Sequence, residues 1–175
     1  MKKVLLVLIM LFHLQIGYSQ AEDPSVKTVE GIVNRMIEII SGDIDEQRDW
    51  DAYRNLFLPT AQKIILNPKA KNPANKVRAM NISEFIKYVG PQYKENGFLE
   101  IEIGLTINEY NGVANVFQSY HAKTIRGEYD KKGINSYQLV YLNDRWWISS
   151  TTWATETPEN KIPNRFLKET YRSKN

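Results

Sequence analysis

One run of residues restricts the fold more than any other. From Phe98 to Tyr110 apolar and polar side chains alternate, with Leu99, Ile101, Ile103, Leu105 and Ile107 against Glu100, Glu102, Gly104 and Thr106. A period of two over this length reads as a half-buried strand. Asn111-Gly112 follows, a dipeptide suited to a two-residue hairpin turn because both positions tolerate positive φ. Such a turn fixes the register by counting outward. Tyr110 is expected opposite Val113, Ile107 opposite Val116, Leu105 opposite Gln118, Ile103 opposite Tyr120 and Ile101 opposite Ala122. The other face then pairs Glu102 with His121 and Glu100 with Lys123, two charge-complementary contacts.

This count governs how His121 is read. It is the one histidine beyond residue 19 and tempts as a catalytic base. The register places it on the outer face beside a carboxylate. Gln118 and Tyr120 instead put polar atoms on the apolar face, where they mark either a structural hydrogen bond or the wall of a pocket.

A second hairpin runs from Gly133 to Trp153, with Asn143-Asp144 as its turn and three of the four tryptophans in its second strand. Nothing else in the chain is so dense in large apolar groups, so it is expected at the centre of the sheet. A two-residue turn pairs Leu142 with Arg145. Tyr137, Leu139 and Tyr141 then share a face with Trp146, Ile148 and Ser150, while Gln138, Val140 and Leu142 share the other with Trp147 and Ser149. Both faces carry apolar bulk. One is expected to cover helices; the other meets a second subunit or is covered by the tail, residues 156–175, through Phe166 and Leu167.

Upstream, Asp23-Pro24 starts a helix and Val26 to Ile40 repeats apolar residues at helical spacing up to Gly42. Asp49 caps a second helix with Trp50, Tyr53, Leu56 and Phe57 on its apolar face, ended by Pro59. Ala61 to Leu66 is a short strand broken at Asn67-Pro68. Residues 67–80 read as a basic polar loop. Asn81 and Glu84 form a capping box for a third helix, which Gly90-Pro91 closes.

The first twenty residues differ from the rest. Lys2 and Lys3 precede an apolar run from Val4 to Phe12, and Gly17 and Ser19 are small residues at signal-peptidase positions. Residues 1–19 read as a cleaved secretory signal, and 20–175 as a single domain with a secreted or periplasmic location. The chain has no Cys, so no disulfide framework or Cys metal site is available. Losing two lysines takes the net charge from +3 to +1, which gives no electrostatic reason to bind nucleic acid. The mature domain is not expected to engage a membrane. No phosphate-binding Gly loop, GxSxG or calcium loop is present, so no cofactor or metal is expected.

Three segments carry a resemblance: RDWDAYRNLFLPTA (Arg48 to Ala61), GVANVFQSYHAKT (Gly112 to Thr124), and the Gly133–Trp153 hairpin followed by ENKIPNRFL. With the order helix, helix, short strand, helix and four long strands, they resemble a bacterial secreted family of NTF2-like (SnoaL-like) proteins of unassigned activity. The resemblance implies a cone-shaped α+β fold, with three N-terminal helices against a curved, mostly antiparallel sheet, a pocket at the open end, and commonly a homodimer through the sheet. It implies no single activity. Isomerase-like relatives place a base carboxylate just before a proline, where this chain has Asn67. Dehydratase-like relatives use an inward His-Asp pair, whereas His121 points outward here.

Two functions follow as expectations. The first is a binding domain without assignable catalysis, holding a small, partly apolar ligand against Tyr53, Gln118, Tyr120, Tyr137, Trp146 and Ser150. The second is an isomerase, hydratase or cyclase using a pocket Tyr as acid and a carboxylate such as Asp51 as base. An acid or imidazole facing the pocket distinguishes them.

Overall fold

The computed structural model describes residues 23–67, 70–72, 76–168 and 170–173; the signal reading at 1–19 and Pro68 lie outside these. The elements are α1 (Val29–Ile40), α2 (Trp50–Arg54), β1 (Phe57–Leu66), β2 (Val77–Asn81), α3 (Ile82–Asn96), β3 (Leu99–Tyr110), β4 (Val113–Lys123), β5 (Asp130–Leu142), β6 (Arg145–Thr155) and β7 (Thr170–Ser173). They form an α+β fold on one curved, open sheet of order β2-β1-β6-β5-β4-β3-β7. The β5–β6 hairpin lies at its middle, as its apolar density requires. Pairing is antiparallel except for β1–β6 and β3–β7.

Local chemistry accounts for the helix starts. Asp23 caps a 3-10 turn, Pro24–Lys27, and Thr28 then caps α1 through a bond from the Gly31 N–H, so the expected single helix is two pieces. Buried Val29, Ile32, Val33, Met36, Ile37 and Ile40 set α1 onto the sheet, at about 1.5–3 kcal/mol for each large apolar side chain removed from water. The carbonyls at and after the end of α1 converge on Arg48. Its guanidinium donates to the carbonyls of Ile40, Gly42, Asp43 and Glu46 at 2.7–3.2 Å.

Several expectations are corrected. The three helices do not form one N-terminal group: in the order the sequence indicates, α1 and α2 precede the first strand and α3 follows the β1–β2 pair. Strand β1 already begins at Phe57, so Pro59 lies inside a strand, next to the irregularity between Phe57 and Gln62. The basic segment contains β2, which pairs with β1 from Gln62↔Asn81 to Leu66↔Val77. The Asn81/Glu84 capping box forms as expected, but Gly90-Pro91 does not stop α3. That helix runs to Asn96 and ends at Gly97, whose φ of 63° suits glycine.

Two bulges re-aim the side chains that matter for function. Near the turn β3 and β4 pair as counted, Tyr110↔Val113, Ile107↔Val116 and Leu105↔Gln118. The register then shifts between Glu102 and Gly104, so that Glu102 faces Tyr120, Ile101 faces His121 and Glu100 faces Ala122. Every side chain beyond the bulge changes face. Ile101 turns out to solvent at 58% exposure, and Glu100 and Glu102 turn in. The expected Glu102–His121 and Glu100–Lys123 pairs do not form. His121 does face outward, bonded through Nε2 to Asp130 Oδ1 at 2.6 Å. In the second hairpin Leu142↔Arg145 and Leu139↔Ile148 hold, and a shift after Leu139 then pairs Gln138 with Ser150 and Tyr137 with Thr151. Ser150 therefore leaves the face of Tyr137.

The outer face is partly covered by the tail. Phe166 stacks on Phe117 at 5.3 Å between centroids, Ser119 Oγ donates to the Phe166 carbonyl at 2.7 Å, and β7 adds to the free edge of β3.

Candidate active site

A cavity of about 290 Å³ opens between the inner face of the sheet, α1 and α3. Met36, Ile40, Phe85, Val89, Phe98 and Trp153 supply apolar wall, and Tyr88 and Tyr93 of α3 add two phenol rings. Glu100, Tyr120, Tyr129 and Asn135 supply polar atoms from the sheet and the β4–β5 connection. Among the described lining residues Glu100 is the sole charged side chain.

Each polar group is placed by strand geometry. The bulge aims Glu100 inward, and Asn135, two residues past Gly133 on β5, donates from Nδ2 to Glu100 Oε1 at 3.0 Å. Burial pushes the Glu100 carboxyl up to about 7, against the lowering effects of the Asn135 bond and the charge on Lys63. Tyr120 and Tyr129 lie close enough to influence one another, and burial raises both above the usual phenol range. Gly133 leaves room for this arrangement, since a Cβ there would collide with the Tyr120 hydroxyl.

Behind the cavity lies a second polar layer. Lys63 of β1 is almost fully buried, donates to Tyr53 Oη at 3.0 Å and approaches Met36 Sδ at 3.7 Å. Its Nζ stands 4.6–5.7 Å from the centroids of Tyr53, Phe57, Phe85 and Trp153. Burial brings this ammonium down to about 7, opposed by the charge on Glu100. Tyr137 donates to Gln118 Oε1 at 2.8 Å, and Gln118 Nε2 donates to Glu102 Oε2 at 2.7 Å.

Of the residues singled out from sequence, Tyr120 lines the cavity, while Tyr53, Gln118 and Tyr137 are fully buried in the layer behind it. Trp146 packs on Tyr141 near the hairpin turn, 5.4 Å between centroids, and Ser150 is directed by its bulge to the opposite face. Asp51 is at the surface with 96% of its side chain exposed and pairs with Arg54 at 2.7 Å, so it is no pocket base. Glu100, Lys63, Asn135 and Tyr129 escape the sequence count. Two signals existed: Gly104 in mid-strand, which marks a bulge, and Lys63 at period two from Ala61.

No protein-family model and no curated protein matches the chain. Solved structures do. An NTF2-like superfamily protein of Salmonella enterica aligns at 16% identity and TM-score 0.54, covering 72% of this chain and 87% of that one. The chain has the NTF2-like fold. A proposed ketosteroid isomerase of Shewanella frigidimarina aligns at 15% identity and TM-score 0.53, over 75% of this chain and 96% of that one. The β subunit of benzoate 1,2-dioxygenase of Burkholderia mallei aligns at 14% and 0.54, over 73% and 88%. At these identities the NTF2-like fold is shared and activity is not transferred.

Proposed function

We propose that the chain binds a small, partly apolar molecule in this cavity and moves a proton on it, in the manner of an isomerase, hydratase or cyclase. The sequence count alone places no carboxylate inside, which favours the binding reading of the two. The observation that favours proton transfer is the inward Glu100, held by Asn135 in an aromatic cavity. A carboxyl group raised to about 7 is close to half-ionised at neutral pH and serves as base or acid without a large driving-force penalty. Tyr120 and Tyr129 remain protonated and offer a hydroxyl to a developing oxyanion. Apolar walls hold the ligand and exclude water. This reading has the domain acting in the periplasm or outside the cell after loss of residues 1–19, as a homodimer through the sheet.

Ligands are sought by thermal shift among steroid-like, aromatic and sugar-derived compounds. For a carbonyl-bearing binder, proton NMR in D₂O is expected to show loss of signal from the carbon beside the carbonyl. Glu100→Gln should retain binding and slow that exchange by about a hundredfold or more. Exchange at the wild-type rate in Glu100→Gln would remove the proposal.

A further inference from the structure

The cavity is built for a positive charge. Seven aromatic side chains line it, its one charged lining group is an acid, and none of the described lining residues is Lys, Arg or His. A ring face attracts a cation through its quadrupole, and the attraction grows where water is excluded. A second observation points the same way. Phe85 and Trp153, both wall residues, already hold an ammonium: Lys63 Nζ lies 4.6 Å from the Phe85 centroid and 5.6 Å from that of Trp153. These rings therefore already face an amine nitrogen with no carboxylate bonded to it, its contacts being Tyr53 Oη and Met36 Sδ, although burial lowers its pKa to about 7.

From this arrangement we infer that the ligand is a small organic cation, an amine or quaternary ammonium on an apolar body, whose charge lies against the aromatic wall beside Glu100. The inference rests on the reading of the cavity as the ligand site and names the class of molecule that enters it.

The groups around Glu100 set the pH response. Lys63 of β1, Tyr53 of α2, Tyr93 of α3, Tyr120 of β4, Tyr129 of the β4–β5 connection and Tyr137 of β5 all feel its charge. On the cavity side of α1, Met36 and Ile40 carry no charge, and Glu102, also on β3, bonds Gln118. The tyrosines stay neutral. Raising the pH through neutrality ionises Glu100 and discharges Lys63, and both changes favour a bound cation.

The test uses a matched pair, benzyltrimethylammonium and its carbon isostere neopentylbenzene, titrated against the chain by calorimetry or ligand-observed NMR. The cation carries no titratable proton, so any pH dependence belongs to the protein. It is expected to bind about tenfold tighter than the isostere or better. It should gain about a further tenfold between about pH 6 and about pH 8, the change in ionised Glu100 for a group near 7. Glu100→Gln should weaken the preference and shrink the pH step, the remainder coming from the aromatic wall and from Lys63. Equal binding of the two probes, tighter binding of the isostere, a preference and pH step undiminished in Glu100→Gln, or binding of neither overturns the inference. Proton exchange on a neutral carbonyl ligand that still depends on Glu100 would then leave the acid–base proposal standing. A cation preference without any Glu100-dependent exchange would leave a binding protein instead.

Discussion

Two ionisable residues at the cavity carry opposite burdens. Glu100 has its carboxyl raised from 4.5 to about 7, and Lys63 its ammonium lowered from 10.5 to about 7, each chiefly by burial. Between 4.5 and about 7 the folded chain binds more protons at Glu100 than the unfolded chain, so this group's contribution to stability falls as pH rises. Between about 7 and 10.5 the folded chain binds fewer protons at Lys63, so that contribution rises with pH. The two slopes meet near neutrality. Calorimetric melting from acid to alkaline pH is therefore expected to show a dip in Tm around pH 7, flattened in the double variant Lys63→Met/Glu100→Gln. A wild-type Tm that climbs steadily through neutrality, or the same dip in the double variant, contradicts the assignment. A stability minimum near neutral pH is uncommon for a domain, and it is the cost of keeping both groups poised where a ligand can bias them.

At the scale of elements, the bulge in β3 decides what the cavity contains. With straight pairing, Ile101 and Ile103 would have faced Ala122 and Tyr120 and both carboxylates would have looked outward. The extra residue before Gly104 reverses this, and the inner amides of Gln118 and Asn135 receive the carboxylates. Gly104 has its own reason to lack a side chain: a Cβ there would meet the Phe166 carbonyl and lie 2.8 Å from Leu167 Cα. Those contacts are backbone and cannot swing aside. Gly104→Ala is expected to cost about 1–3 kcal/mol and to lift the tail. Amide hydrogen exchange should then quicken over residues 164–173 and stay slow in β5 and β6. Unchanged protection of the tail would show that the strand absorbs the methyl group elsewhere.

Across the whole molecule, an open sheet has edges that must be managed. One end terminates in β2. At the other, β7 pairs in parallel with Thr106–Glu109 of β3, while Phe166 covers Phe117 and Ser119. The tail therefore hides a strand edge and an apolar patch together. Removing residues 164–175 should leave the cavity side intact, because none of its described lining residues belongs to the tail. The shortened chain is expected to self-associate more strongly, read as a concentration-dependent rise in mass by light scattering. A truncated chain with the same mass as the full chain at every concentration would argue against this role.

Elements with local signals were legible from the residues alone. Asn111-Gly112 and Asn143-Asp144 set two hairpins because few residues accept positive φ, and both registers hold next to their turns. Asn81 with Glu84 set the start of α3, and the α1 stripe set its buried face. Counting from a turn fails at the first inserted residue, since the energy that stabilises a bulge comes from partners far along the chain. For Glu100 those partners are Asn135 and the aromatic wall, and for Gly104 they are Phe166 and Leu167. Pro91 does not end α3 for a related reason: packing of α3 onto the sheet outweighs a local breaker. Which carboxylate looks inward, and that Lys63 shares its surroundings, were decided by tertiary structure, because burial and mutual electrostatics exist only once the sheet, α1 and α3 enclose a common space.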